Sequence, residues 1–251
     1  MKNIILLGSG NVATHLGCAF KKSNYNIVQV YSKSIDNAKE LANKLNSHFT
    51  NDLNKLISAD LIIVSINDDS ISNILRQIKN TAIVHTSGSI GLNVFKKKFS
   101  KHGVIYPLQT FNKEVSLNIS EIPFCIEGNS IKFENQLFEI AKSLSNNVVK
   151  MNSHQRKQLH IAAVFACNFS NHMYSIADDL LAKEDIDFKI LLPLIRTTIA
   201  NLENNRPKKV QTGPAKRKDT IIIQEHLDII KEKEIRDLYH KITDNIIKYH
   251  E

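Results

Sequence analysis

The sequence predicts an α/β protein: a parallel sheet in the N-terminal half, then an all-helical C-terminal domain. Three observations carry that expectation. Short apolar runs alternate with amphipathic stretches through the first half, the β-α-β rhythm of a parallel sheet with right-handed crossovers. A glycine-rich turn, Gly8-Ser9-Gly10, directly follows the first apolar run. Beyond residue 152 the strand-like runs disappear and long helical patterns take over, so domains are expected over 1–152 and 153–251.

Residues 3–7 read as a buried strand, and residues 12–22 as a helix with Leu16 and Phe20 four apart on one face. A second strand is expected over 27–31, then a helix over 35–45 with Leu41 and Leu45 inward. Residues 61–66, Leu-Ile-Ile-Val-Ser-Ile, form the continuous run of a strand covered on both faces. A helix over 70–78 and strands over 82–85, 103–106 and 123–127 follow, then a helix over 135–144 and a last strand over 147–151. The C-terminal helices are expected over 154–181, over 188–204 and from 220 to the end, with a Lys-, Gly- and Pro-rich connection over 206–219.

Composition narrows the function classes. The net charge is +8, but the basic residues are spread out and dense only at Lys96-Lys97-Lys98 and over 206–218. The 206–218 run lacks aromatic interleaving and a recognised nucleic-acid-binding module, so no nucleic-acid partner is expected. The three cysteines, Cys18, Cys125 and Cys167, are far apart, which argues against a disulfide framework or a metal site. No apolar run reaches the ~18 residues of a membrane span. The apolar run of residues 4–7 is too short for a signal peptide, so a cytoplasmic location is expected.

Gly8-Ser9-Gly10-Asn11-Val12-Ala13 matches G-x-G-x-x-A between a strand and a helix, the context of a Rossmann-type dinucleotide turn. Gly8 makes the tight turn, Gly10 lets a pyrophosphate approach the backbone, and Ala13 lets helix and strand pack closely. The helix start adds free N–H groups and positive potential. Gly8, Ser9, Gly10, Asn11 and Val12 are therefore candidate cofactor-binding residues. At the end of the second strand an NAD site would place an acid; this chain has Ser32-Lys33-Ser34. An ammonium and two hydroxyls suit a 2′-phosphate, so NADP is favoured over NAD.

Several further stretches share a family pattern. They are Ser65-Ile66-Asn67-Asp68-Asp69, His85-Thr86-Ser87-Gly88-Ser89, Tyr106-Pro107-Leu108-Gln109-Thr110-Phe111, His160 through Phe169, and Thr212 through Asp219. Together with the glycine turn they resemble the Rossmann-like proteins carrying a DUF2520 C-terminal domain, a group described as NADP or F420-dependent oxidoreductase-like and akin to pyrroline-5-carboxylate reductase and the β-hydroxyacid dehydrogenases. The resemblance implies a two-domain dehydrogenase-like fold and a homodimer formed through the C-terminal helices. The apolar stripe Ile190, Leu191, Leu194, Ile195 and Ile199 points to the same dimer.

In an open α/β sheet the ligand lies beyond the carboxyl ends of the strands, so Ser65, Ile66, Asn67 and Thr86 are expected beside the cofactor and Ser87 beside the substrate. Their hydroxyls could equally cap loops. Asp68 and Asp69 are read as helix caps. His160 and Asn168 are the candidate catalytic pair, and Asn171, on the same flank of an ideal helix, is a candidate substrate-binding residue. A histidine suits proton donation beside a carbonyl, and an amide suits holding its oxygen. Polar residues bonded among themselves in a core or interface are the competing reading. The β-hydroxyacid dehydrogenase pattern would place a Lys near the start of this helix and an Asn one turn on; Lys157 stands near the first place, but Ile161 stands at the second. Arg217 could clamp a substrate carboxylate or phosphate, or belong to a solvated basic loop, and Asp219 is read as the cap of the next helix. The function expected is an NADP-dependent oxidoreductase acting on a small carbonyl, hydroxy-acid or imine compound, with a non-catalytic NADP-binding dimer as the alternative.

Overall fold

The structure, a computed structural model, describes residues 1–96 and 98–251; Lys97, in the basic run of three lysines, lies outside the described residues. Two compact units divide between Cys167 and Asn168, later than the expected boundary. The first part of the helix that opens the expected helical domain packs on the sheet: Leu159 lies against the cluster of Val104, Tyr106 and Cys125.

In the unit Met1–Cys167, strands β1 (Asn3–Leu7), β2 (Asn26–Tyr31), β3 (His48–Thr50), β4 (Leu61–Val64), β5 (Ile83–His85), β6 (His102–Pro107), β7 (Phe124–Gly128) and β8 (Val148–Lys150) form one sheet. Its order is β3-β2-β1-β4-β5-β6-β7-β8. All pairs are parallel except β6 and β7. Helices α1 (Asn11–Lys22), α2 (Ile35–Leu45), α3 (Asp68–Gln77), α4 (Ile131–Lys142) and α5 (Ser153–Ala163) complete it. The uninterrupted apolar strands follow from burial on both faces. Ile4 and Leu6 pack with Leu16, Phe20 and Phe133, whereas Ile5 and Leu7 pack with Ile71, Ile74 and Phe95. Each such side chain contributes roughly 1.5–3 kcal/mol.

The register aligns Leu7, Tyr31, Val64 and His85 in one row. Gly8, Ser32, Ser65 and Thr86 therefore leave the sheet side by side. The strand order reverses between β1 and β4, which is where an open α/β sheet leaves a crevice.

Two elements differ from expectation in this unit. Strand β3 is too short to show a pattern in sequence. Helix α4 starts at Ile131 because the Ser130 hydroxyl accepts from the Phe133 amide at 3.3 Å, four residues ahead of the first helical residue expected.

The chain leaves α5 through a π-helical turn, Val164–Phe169. The unit Asn168–Glu251 contains α6 (Ser170–Ala182), α7 (Leu192–Asn204), α8 (Pro207–Val210), α9 (Pro214–Arg217), α10 (Thr220–Ile229) and α11 (Lys233–Tyr249). Pro207 and Pro214 each open a one-turn helix where a connection was expected. The final long helix is instead two, α10 and α11. Within this unit only Ala215 and Thr243 are buried. No helix among the described residues is long and apolar enough to cross a membrane.

Candidate active site

The turn after β1 can be built only with glycine at its first position. Gly8 has φ +123°, and a Cβ there would fall 2.0 Å from the Ser65 carbonyl oxygen. Its amide donates to Tyr31 O at 2.8 Å, and the Ser65 amide donates to Leu7 O at 2.8 Å, which locks the three strand ends together. Gly10 is the N-cap of α1, and a Cβ built there would meet nothing within 4 Å. No acid stands in the first turn of α1 and no side chain caps it, which leaves the positive end of the helix without a protein anion of its own.

A cavity of about 350 Å³ opens beside this turn. It is lined by Gly8, Ser9, Gly10, Ser32, Lys33, Ser65, Ile66 and Asn67, eight of the expected cofactor residues, and also by Tyr31, Asn37, Ser70 and Ile74. Lys33 is exposed and forms no ion pair among the described residues. The cavity therefore joins a close backbone approach at Gly10 to an uncompensated cation at the end of β2, a set that fits a dinucleotide bearing a 2′-phosphate.

The side chains of four expected cofactor residues are engaged within the protein. Asn11 holds the β6–β7 connection: its amide donates to Phe111 O at 2.9 Å and its oxygen accepts from the Lys113 amide at 3.2 Å. Val12 packs against the core. The Ser34 hydroxyl caps α2 by accepting from the Asn37 amide at 3.3 Å. Thr86 bridges β4 and β5 by donating to Ser65 Oγ at 3.2 Å.

A second polar cluster lies at the ends of β4, β5 and β6. Asp68, expected as a cap, makes no cap; Asn67 is the capping residue and forms no side-chain cap bond either. Its carboxylate instead accepts from Ser87 Oγ at 2.9 Å and from Ser89 Oγ. Ser87 Oγ also accepts from the amides of Ser89 and Ile90, both at 3.1 Å. The buried Ser87 hydroxyl is thus committed to holding its own loop rather than free for substrate. The Ser87 amide donates to His85 Nδ1 at 3.2 Å. His85 is fully buried and stacked on Phe95, and burial, with the Arg156 charge adding, pushes its pKa down to about 3. It is a neutral core residue.

Gly88 opens this loop toward two rings. The Tyr106 hydroxyl lies 3.2 Å from His160 Nδ1, with the rings edge to face at 6.1 Å. A Cβ on Gly88 would fall 2.7 Å from Tyr106 Cζ and 2.8 Å from His160 Nδ1. Burial, reinforced by Cys125, drives the Tyr106 pKa up to about 12. Tyr106 is the residue that sequence reasoning missed. It lay inside a recognised motif, but only the fold brings it to His160.

Helix α5 is bolted beneath the pair. The Arg156 guanidinium is fully buried, ion-paired with Glu127 of β7 and bonded to Ile90 O. Glu127 also accepts from the Ser153 amide at 2.9 Å and the Ser153 hydroxyl at 2.7 Å.

The remaining candidates lie in the helical unit. Asn168 and Asn171 are exposed there, and His160 belongs to the sheet unit. The π-turn Val164–Phe169 intervenes, so the ideal-helix spacing that put all three on one flank does not hold across it. Arg217 is paired with Asp219 at 2.8 Å, and Asp219, expected to cap α10, forms no cap bond. No group of residues suited to hold a metal occurs among the described residues.

A protein of solved structure from Bacteroides fragilis, with a provisional assignment as an NADP oxidoreductase, is 40% identical to this chain, covers 98% of each chain and superposes with a TM-score of 0.94. The domain of unknown function DUF2520 matches residues 122–246, and the family of coenzyme F420-dependent NADP oxidoreductases matches residues 3–87. The chain belongs to the DUF2520 family. Its fold is shared with 1-pyrroline-5-carboxylate reductase from Streptococcus pyogenes, at 16% identity, 98% coverage of each chain and a TM-score of 0.65. An imine reductase from Myxococcus stipitatus in complex with NADP+ aligns at 15% identity over 98% of this chain and 92% of its own, with a TM-score of 0.65. No protein of curated function matches the sequence. In this DUF2520 protein the oxidoreductase-type fold thus carries two adjacent features at the strand ends, the glycine-turn cavity and the Tyr106–His160 pair.

Proposed function

We propose that this protein is an NADP-dependent oxidoreductase that moves hydride to or from a small carbonyl, hydroxy-acid or imine compound. The observation that carries the reading is the cavity at the strand-order reversal, where the Gly8–Gly10 turn opens beside Lys33, which has no ion pair among the described residues. Gly10 and the first-turn amides of α1 bind the pyrophosphate, and Lys33 with Ser32 and Asn37 receives the 2′-phosphate. The bound nicotinamide supplies or accepts the hydride. His160 Nε2 gives a proton to the substrate oxygen or nitrogen during reduction and takes it back in the reverse direction. Tyr31, Ile66 and Ile74 give the cavity its apolar lining.

The protein also works as a homodimer in this reading. A unit that buries only Ala215 and Thr243 has no core of its own, and it exposes Ile190 at 67%, Leu194 at 64% and Ile221 at 73%. A second copy covers that surface.

The test is NADPH oxidation across a panel of small ketones, keto acids and cyclic imines, with His160→Ala alongside. Turnover that falls by ~10² to 10⁴ in the variant supports the reading. Absence of turnover with every class, despite tight NADPH binding, leaves the non-catalytic alternative.

A further inference from the structure

Resting on the catalytic role given to His160, we propose that Tyr106 is a positioning residue that fixes the tautomer and orientation of the His160 ring, so that Nε2 carries the hydrogen offered to substrate.

The Tyr106 hydroxyl and His160 Nδ1 are 3.2 Å apart. Among the described residues of the sheet unit the hydroxyl has no other acceptor. If Nδ1 carried the hydrogen, the phenol would have to accept it and leave its own hydrogen unpaired in a nearly sealed place, at 9% exposure. The phenol therefore donates, Nδ1 accepts, and in the neutral ring the hydrogen resides on Nε2. The raised pKa of Tyr106 keeps that donor protonated throughout the range in which an imidazole titrates. As Nε2 gives its proton to the substrate, the phenol proton passes to Nδ1, so the ring stays neutral and in one orientation; water reprotonates the phenolate, and oxidation runs the same transfers in reverse.

The surroundings hold this arrangement. Gly88 leaves room for the two rings to meet, since any side chain there would overlap both. Asp68, through Ser87 and Ser89, fixes the loop that carries Gly88. Arg156 anchors the first turn of α5, one turn before His160, to Glu127. The titratable groups near the phenol are Asp68, Cys125 and Arg156, besides His160 itself. Together these contacts hold one ring in one orientation.

The experiment uses the full-length protein and its Tyr106→Phe variant, which keeps the ring and removes one oxygen. Ring-nitrogen signals of His160, recorded by long-range proton–nitrogen correlation above the histidine titration range, report the tautomer without any substrate. A single Nε2–H form in the native protein, giving way to a mixture in Tyr106→Phe, is expected. The same ring signals in both proteins would overturn the proposal. Where a substrate is found, a double-mutant cycle gives a second reading. Tyr106→Phe should lower kcat by about tenfold or more with little change in KM, and should cost nothing further in a His160→Ala background. Equal losses in both backgrounds would also overturn it. A tautomer change in a protein that reduces nothing would uphold the positioning and defeat only the enzymatic reading.

Discussion

Gly8 and Ser65 approach so closely that a single methyl group on Gly8 would fall 2.0 Å from the Ser65 carbonyl oxygen. The neighbouring Gly10 has open space in the same position. The two glycines thus serve different ends, one the fold and one the ligand. Gly8→Ala should lose soluble, folded protein or several degrees of Tm. Gly10→Ala should keep the native Tm and lose NADPH affinity, read by calorimetric titration. Native NADPH affinity in Gly10→Ala would remove the pyrophosphate from this turn.

The buried Arg156–Glu127 pair should be costly to break from one side. Arg156→Met leaves the Glu127 carboxylate without its cation and should destabilise the protein by about 3–5 kcal/mol. Adding Glu127→Leu should restore part of the loss. Urea denaturation of the two variants measures both, and an unchanged midpoint in Arg156→Met would show that the pair is not formed.

His85 gives stability a defined pH dependence. Its pKa is about 3 in the folded chain against an ordinary 6.5. Above 6.5 neither state takes a proton at this site. Between 6.5 and about 3 the unfolded chain binds one that the folded chain refuses, so stability falls as pH falls, by up to about 1.4 kcal/mol per unit. Urea midpoints for native protein and His85→Phe from pH 7.5 to 4.5 should diverge from about 6.5 downward, the variant losing less. Parallel curves would mean that His85 accepts a proton in place.

Much of this was legible in the chain because one local pattern repeats. Apolar runs such as residues 61–64 need both faces covered, and a glycine pair between strand and helix has few other uses. What escaped depends on contacts between distant segments or on backbone irregularity. Tyr106 and His160 are 54 residues apart and meet only because β6 ends beside α5. Whether the Ser87 hydroxyl caps a loop or meets a ligand stayed open in sequence because nothing local shows Asp68 reaching it across the β4–β5 gap. The shared flank of His160 and Asn168 assumed 3.6 residues per turn, which the π-turn Val164–Phe169 does not keep.

The exposed apolar surface of the helical unit predicts assembly. Light scattering at micromolar concentration should give twice the chain mass, and Leu194→Lys with Ile221→Lys should shift it toward one. A native monomer would refute the dimer.

The cofactor assignment is tested most directly by titrating the native protein with NADPH and NADH in one buffer, following cofactor fluorescence. Lys33 has no ion-pair partner among the described residues and lines the cavity that Gly8 and Gly10 open. NADPH should therefore bind at least about tenfold more tightly, as one charge-assisted contact of roughly 1.4 kcal/mol requires, and Lys33→Asp should erase or reverse the preference. Equal affinities, tighter NADH, or no saturable binding of either would contradict an NADP-dependent oxidoreductase built on this turn.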